Sequence, residues 1–200
     1  GTPEWIAARL GCATASRIAD VIAKTKTGES ASRKNYAAEL IVERLTGASA
    51  EKFSSAAMQW GTDTEPHARA AYEFREDVTV DLASFVPHPT IAFSGASPDG
   101  FVGATGLIEI KCPNTATHLE TLLGRTPAAE YVTQMQWQMA CTGRAWCDFV
   151  SFDPRLPEHL RFFCHRVMRD AEVIASLESE VRTFLAEIDD KLTRLAALHE

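Results

Sequence analysis

The chain has 200 residues, of which 46% are hydrophobic and 24% are charged, and its net charge at pH 7 is −7. This length and composition fit one folded domain with a sizeable hydrophobic core and exclude a disordered chain. No apolar run reaches the roughly 18 residues that cross a bilayer, and the first residues lack a signal-peptide pattern, so we expect a cytoplasmic protein without membrane association.

The pattern of apolar residues, caps and breakers predicts the elements in chain order. The first part of the chain is predicted to contain a helix over 3–10, a helix over 14–22, a mobile polar loop over 24–32, a helix over 33–46 and a helix over about 54–75 that Gly61 can interrupt. The second part is predicted to contain a meander of strands over 78–85, 90–94, 99–103 and 107–112, a helix over 127–141, strands over 146–152 and 160–168, and an amphipathic helix over 171–197. These elements predict a single α/β (α+β) domain over residues 1–200.

The cysteines and the charge distribution narrow the class of protein further. The five cysteines are odd in number and show no CxxC spacing, so we expect no disulfide framework and no zinc site. An acidic chain argues mildly against non-specific DNA binding, but the basic residues between Arg17 and Lys34 leave room for a local basic surface.

The segment Ser97–Lys111 contains the clearest chemical signal. Glu109 and Lys111 lie two residues apart on a predicted strand and therefore point to the same face. Asp99, between a proline and a glycine, can approach them from the neighbouring strand. Two carboxylates can bind a hard divalent cation, and a lysine beside them can position or deprotonate a water. A surface hairpin with solvated charges fits the same residues, but charges in so apolar a run favour a site.

Two groups of residues in the first part of the chain fit either a site or an ordinary structural role. Glu65 shares a helix face with Arg69, so it is either a third metal-binding carboxylate or half of a helix ion pair. Arg9 and Ser16 near a helix start can bind phosphate, or can be a surface arginine and a capping serine.

The predicted helix over 127–141 and the segment before it supply the remaining candidates. Gln134 and Gln138 lie one turn apart, so one or both can point into a cleft or form hydrogen bonds between helices. His118 can bind phosphate when it is protonated, although a lone histidine is more often structural.

Together these motifs resemble the family of the phage lambda exonuclease, the YqaJ-type viral recombinases of the PD-(D/E)xK nuclease superfamily. The resemblance runs over nearly the whole chain and rests on five ordered motifs, together with a sixth segment. They are Trp5…Arg9-Leu10-Gly11…Thr14-Ala15-Ser16, Trp60-Gly61…Glu65, Ser97-Pro98-Asp99-Gly100, Glu109-Ile110-Lys111-Cys112-Pro113, Tyr131…Gln134…Gln136 and Asp153-Pro154-Arg155. The implied fold is a restriction-endonuclease-like core, a central mixed β-sheet flanked by helices.

The resemblance also implies roles for individual residues. The side chains of Asp99, Glu109 and Glu65 and the main-chain carbonyl of Ile110 would bind Mg²⁺, for which Mn²⁺ can substitute. Lys111 would activate the attacking water, and Gln134 would help to hold the site.

Substrate and partners follow from the same resemblance. Arg9 and Ser16 would grip the 5′-phosphate at a double-stranded DNA end. The protein would form a ring-shaped homotrimer, degrade one strand 5′→3′ and act beside a single-strand annealing protein. The sequence departs from the family pattern at Thr117, where the prototype has a phosphate-binding arginine, so phosphate binding is expected either to be weaker or to move to His118 or Arg125.

Two other functions fit the same residues. An endonuclease on this core would cut a covalently closed DNA circle, whereas an exonuclease would leave it intact. A DNA-end-binding protein without activity would bind ends without Mg²⁺-stimulated loss of DNA, but the full set of Asp99, Glu109 and Lys111 speaks against it.

Overall fold

The computed structural model describes residues 2–26, 28–49 and 55–199, which form seven α-helices and ten β-strands. The helices are α1 Pro3–Arg9, α2 Ile18–Ile22, α3 Ala31–Thr46, α4 Ala56–Glu76, α5 Thr115–Gly124, α6 Ala129–Thr142 and α7 Ala171–Ala196. The strands are β1 Ala13–Thr14, β2 Lys24–Thr25, β3 Gly28–Glu29, β4 Val80–Asp81, β5 Val86–Pro87, β6 Ser94–Ala96, β7 Gly100–Val102, β8 Gly106–Lys111, β9 Trp146–Phe152 and β10 Phe162–Met168.

A mixed five-stranded sheet forms the centre of the fold, in the order β10-β9-β8-β7-β4. Strands β8 and β9 are parallel, with Glu109 opposite Phe149, and the other neighbours are antiparallel. A parallel pair needs a long crossover, and here α5 and α6 supply it.

Helices cover both faces of this sheet. On one face, Leu107 and Phe149 join a large core with α2, α3, α6 and α7. On the other face, Ile108 and Val150 pack with Ala68 and Tyr72 of α4. The alternation along β8 therefore directs Glu109 and Lys111 to the same side as Leu107, toward α6. No helix within the described residues is both long enough and apolar enough to cross a membrane.

Several predicted elements differ from the structure. The strand predicted over 78–85 is reduced to β4, and residues 90–93 form a turn that leads into β6. The prediction of one continuous meander is also wrong in one respect. Strands β5 and β6 do not belong to the central sheet and instead form a second sheet with β1. Because residues 13–14 form β1 and pair in parallel with β6, the second helix begins later in the sequence than predicted. It starts at Ile18, after a short 3₁₀ turn, and not at Thr14.

Other differences are local. The sequence analysis missed α5, whose N-terminus is capped by the Asn114 side chain. The loop over 24–32 contains the β2–β3 ribbon. Helix α4 continues through Gly61 and Pro66; its predicted first residue, Ser54, lies outside the described residues. All five cysteines are free thiols; Cys141 and Cys147 are buried, and the other three are half-buried.

A buried carboxylate joins α4 to the sheet. Asp148 on β9 accepts a hydrogen bond from the Tyr72 hydroxyl at 2.7 Å and two from the Arg166 guanidinium at 2.8 Å. We expect Tyr72→Phe to lower the free energy of unfolding by about 1.5–3 kcal/mol, the usual contribution of a hydrogen bond to a charged group. Thermal unfolding would then shift down by several degrees, while the site described below stays intact. An unchanged melting temperature would contradict this role for Tyr72.

Candidate active site

The end of β8 places an acid, a lysine and a second acid side by side. The Lys111 ammonium lies 2.5 Å from Glu109 Oε1. Asp99, in the turn before β7, accepts a hydrogen bond from the Ile110 main-chain N–H at 2.6 Å. Because the N–H and C=O of one strand residue point the same way, the Ile110 carbonyl is directed to the side of Asp99. The structure therefore brings together the three positions that the sequence pattern singled out and Ile110, which the family resemblance added.

Helix α6 approaches Glu109 from the covered face of the sheet. The amide nitrogen of Gln134 donates to Glu109 Oε1 at 2.7 Å, and that of Gln138 donates to Oε2 at 2.6 Å. The Gln134 amide oxygen also accepts from Lys111 at 3.4 Å. Glu109 is 1% exposed, so these donors replace the water that a carboxylate otherwise binds.

A cavity of about 380 Å³ opens in front of these groups. Seven of the predicted site residues line it: Arg9, Ser16, Glu65, Asp99, Glu109, Lys111 and Gln134. They come from the first hundred residues and from the β8–α6 segment, so distant parts of the chain meet at one opening.

The electrostatics of the cavity are dominated by acidic side chains that lie close together. Burial raises the pKa of Asp99 well above its usual range, and the neighbouring Glu109 carboxylate raises it further. Burial also raises the pKa of Glu65, although Arg69, 3.6 Å away, opposes the change. For Lys111, burial alone would lower the pKa, but the Glu109 carboxylate outweighs it and raises the pKa. The lysine is therefore held as an ammonium donor.

The donor set fits a hard divalent cation. Carboxylate and main-chain carbonyl oxygens are the ligands that Mg²⁺ prefers, and a cation would relieve the repulsion that raises the Asp99 pKa. Across residues 2–26, 28–49 and 55–199, no three His, Cys, Asp or Glu side chains are gathered tightly enough to enclose an ion. The carboxylates instead face the cavity from separate elements, with Glu109 bonded to Lys111.

The opposite wall of the cavity carries Arg9. Its guanidinium lies 4.1 Å from the centre of the Trp5 ring and 3.5 Å from the Thr14 hydroxyl, neither of which carries a negative charge. The pKa of Arg9 is lowered by burial, which is the cost of a cation held out of water. The exposed Ser16 hydroxyl lies on the same wall. This wall can therefore bind an anion.

Helix α3 holds the segment that carries Arg9 and Ser16. The buried Glu43 carboxylate accepts from the Gly11 N–H at 2.8 Å, and the Tyr36 hydroxyl accepts from the Thr14 N–H at 3.0 Å. Gly11 has a φ of +66°, which favours glycine. The turn between α1 and β1 is thus fixed by side chains and not only by its own backbone.

His118 does not reach this cavity, which corrects its placement among the phosphate-binding residues. The ring is 0% exposed, with Nδ1 2.7 Å from the Ser151 hydroxyl and Nε2 2.8 Å from the Leu160 carbonyl. Both ring nitrogens are occupied, so the histidine anchors α5 to the sheet. Asp153, bonded to Thr115 at 2.7 Å, anchors the start of the same helix.

The structure adds residues to the site that the sequence analysis did not assign. The Trp5 indole N–H donates to the Ser97 hydroxyl at 3.1 Å and joins the two walls of the cavity. Leu82, 69% exposed, lies at the cavity beside Ala83. Helical spacing had already made Gln138 a candidate, but nothing in the local sequence identifies the Trp5–Ser97 contact, which spans 92 positions.

Comparison with known proteins assigns this chain to a family. The family model described as the YqaJ-like viral recombinase domain matches residues 4–145. No curated protein matches the chain significantly.

Solved structures give a second comparison. The chain is 56% identical to an alkaline exonuclease (LHK-Exo) from Laribacter hongkongensis, with a TM-score of 0.93 over 99% of this chain and 98% of that one. A structure of LHK-Exo in complex with dAMP matches with a TM-score of 0.94, at the same identity and coverage.

A more distant structure shares the fold alone. A phage related exonuclease from Haemophilus somnus 129PT is 17% identical, with a TM-score of 0.74 over 92% of this chain and 96% of that one. The mixed sheet flanked by helices, predicted from the sequence, is thus the architecture of these nuclease structures, and the chain belongs to the YqaJ-like viral recombinase domain family.

Proposed function

We propose that this protein is a Mg²⁺-dependent exonuclease that degrades one strand of linear double-stranded DNA in the 5′→3′ direction and leaves a 3′ single-stranded overhang. One observation carries the proposal: a single cavity joins the Asp99–Glu109–Lys111 group to the Arg9–Ser16 wall. Membership of the family and the identity to an alkaline exonuclease support a nuclease enzyme.

The chain's residues divide the work. Asp99, Glu109, Glu65 and the Ile110 carbonyl would hold the metal, which, when bound, polarises the scissile phosphate and lowers the pKa of its bound water. Lys111, as an ammonium, orients the attacking water and stabilises the negative charge that develops on the phosphate. Gln134 holds both Glu109 and Lys111 in place through one amide.

The Arg9–Ser16 wall would recognise the 5′-phosphate. A half-buried guanidinium that meets no carboxylate within hydrogen-bond distance among the described residues can form strong charge-assisted hydrogen bonds to phosphate oxygens. Seating the terminal phosphate there while the next phosphodiester lies at Lys111 would make the enzyme act from an end.

Arg9→Met is expected to reduce cleavage from 5′-phosphorylated ends by about tenfold or more, because a hydrogen bond to a charged group contributes about 1.5–3 kcal/mol. Cleavage from 5′-hydroxyl ends should change little, so the preference for phosphate disappears. The preference is measured by comparing initial cleavage rates on two linear duplexes, one with 5′-phosphate ends and one with 5′-hydroxyl ends.

Arg17→Met is the matched control. Arg17 lies close by, but Asp20 and Glu39 already neutralise it, so its replacement should leave the phosphate preference intact. Equal loss in both variants would contradict a specific role for Arg9.

The decisive assay uses linear duplex DNA with one 5′-phosphorylated end and a covalently closed circle, each with Mg²⁺. Strand-specific loss from the phosphorylated end, with an intact circle, is the expected result. Cutting of the circle would instead indicate an endonuclease, and stable end binding without loss of DNA would indicate an end-binding protein.

Assembly and partners complete the proposal. We propose a homotrimer that encloses the DNA, which explains how an acidic chain retains its substrate, and a single-strand annealing protein that receives the overhang. Exposed apolar side chains on α3 and in the turn after α7 offer contact surface: Val42, Leu45 and Leu198. Light scattering should give three times the mass of one chain.

The five free thiols fit the reducing cytoplasm that we propose as its location. We further propose that residues 1–200 act as one nuclease domain.

A further inference from the structure

The Glu109 carboxylate is held by three side-chain donors. Lys111 and Gln134 both donate to Oε1, at 2.5 and 2.7 Å, and Gln138 donates to Oε2 at 2.6 Å. A carboxylate offers about four acceptor positions, two on each oxygen. The donors to Oε1 fill that oxygen, so the remaining acceptor position of Glu109 is on Oε2, the oxygen that Gln138 orients.

Gln138 is placed to act on Glu109 and on nothing in the cavity. Its side chain is 0% exposed and does not line the cavity. The amide has only one acceptable orientation, because its oxygen would repel the carboxylate. That oxygen is turned away, toward the Cys147 thiol at 3.9 Å. The amide is therefore fixed at both ends.

We propose that Gln138 is a positioning residue for the metal: it fixes Glu109 Oε2 so that its free acceptor position faces the cavity. This inference rests on the proposed metal-dependent function of the same site. Gln134 cannot replace it, because Gln134 is bonded to the other oxygen and to Lys111. Without Gln138, only Oε1 is still held, by Lys111 and Gln134, and the position of Oε2, the oxygen available to a cation, is less restricted.

The test is Mg²⁺ binding to the full chain in the absence of DNA, measured by calorimetric titration of wild type and Gln138→Met. Methionine has a similar volume and no donor. We expect Mg²⁺ affinity to fall by about tenfold or more, the usual effect of losing a partner that orients a metal ligand. The Mg²⁺ concentration for half-maximal DNA cleavage should rise by the same factor, with most of the rate restored at saturating Mg²⁺.

Gln136→Met is the matched control. Gln136 lies on the same helix and is equally buried at 3% exposure, but its amide bonds the Met168 carbonyl and the Asp170 N–H. Its replacement should lower stability and leave Mg²⁺ affinity unchanged. A comparable loss of affinity in both variants would show a general structural effect and overturn the proposal.

A double-variant cycle tests the route through Glu109. In a Glu109→Gln background, adding Gln138→Met should cause no further loss of Mg²⁺ affinity. Should the methionine variant fold poorly, Gln138→Asn keeps an amide one methylene short of Glu109 and should show the same loss.

Wild-type affinity in a folded Gln138→Met protein would overturn this inference alone. Failure of the wild type to degrade linear DNA with Mg²⁺ would instead count against the proposed function.

Discussion

Lys111→Met is expected to reduce the cleavage of linear duplex DNA by about 10²–10⁴-fold, the range for a residue that assists proton transfer or charge stabilisation at the reacting group. The ammonium is bonded to Glu109, and it lies 5.1 Å from the centre of the Tyr131 ring, which holds it over the site. Methionine keeps the length of the side chain and removes the charge. Single-turnover assays with saturating Mg²⁺ and DNA isolate the chemical step.

The controls separate chemistry from folding. Lys24, exposed and paired with Glu180 on α7, is a lysine away from the cavity, and Lys24→Met should cleave at the wild-type rate. Circular dichroism should show that Lys111→Met is folded. Cleavage by a folded Lys111→Met protein at the wild-type rate would contradict the assignment of the site.

Asp99→Asn is expected to abolish activity and at the same time stabilise the metal-free protein. Cleavage should fall by about a hundredfold or more, since charge stabilisation by a bound cation amounts to several kcal/mol. The asparagine side-chain oxygen can still accept the hydrogen bond from the Ile110 N–H, although a neutral acceptor forms a weaker bond than a carboxylate. What disappears is a buried negative charge beside Glu109, so the melting temperature without metal should rise by about 2–4 °C for each kcal/mol gained.

The pH dependence of this gain has a defined sign. The pKa of Asp99 is raised in the folded protein, so the folded state favours the protonated carboxyl. The contribution of the protonated Asp99 carboxyl to stability is complete below about pH 3.9, the pKa of an aspartate in the unfolded chain. This contribution is lost as the pH rises through the pKa of Asp99 in the folded protein. The stability advantage of Asp99→Asn should therefore grow from about pH 4 toward neutral pH. Equal melting temperatures of the wild type and Asp99→Asn at neutral pH would contradict a destabilising repulsion between the buried acids of the cavity.

Short-range sequence patterns predicted the acid–lysine side of the cavity. Glu109 and Lys111 lie on an alternating strand, and the structure gives that strand as β8. The spacing of Gln134 and Gln138 placed them on one helix face, and both bond Glu109. Each of these inferences needs only the spacing of side chains along one strand or one helix, which can be read directly from the sequence.

Long-range contacts explain what the sequence analysis missed. The role of His118 depends on Ser151 and on the Leu160 carbonyl, which lie on parts of the chain that no local pattern connects to it. Likewise, Thr14 joins a strand because Gly95 lies beside it, whereas its own neighbours favour a helix cap. Helix α5 was missed because its threonine-rich start has weak helix propensity and its stability comes from the anchors at His118 and Asp153.

The parallel pairing of β1 with β6 has a consequence for how the enzyme can be divided. Everything assigned to hydrolysis apart from Glu65 lies between Asp99 and Gln138, whereas the phosphate-binding wall arrives from the N-terminus and is joined through β1–β6 and the Trp5–Ser97 hydrogen bond. If the proposed function holds, end recognition and bond cleavage are encoded by separate segments of the gene. Variation in the first twenty residues would then change which DNA ends are accepted without changing the residues proposed for cleavage.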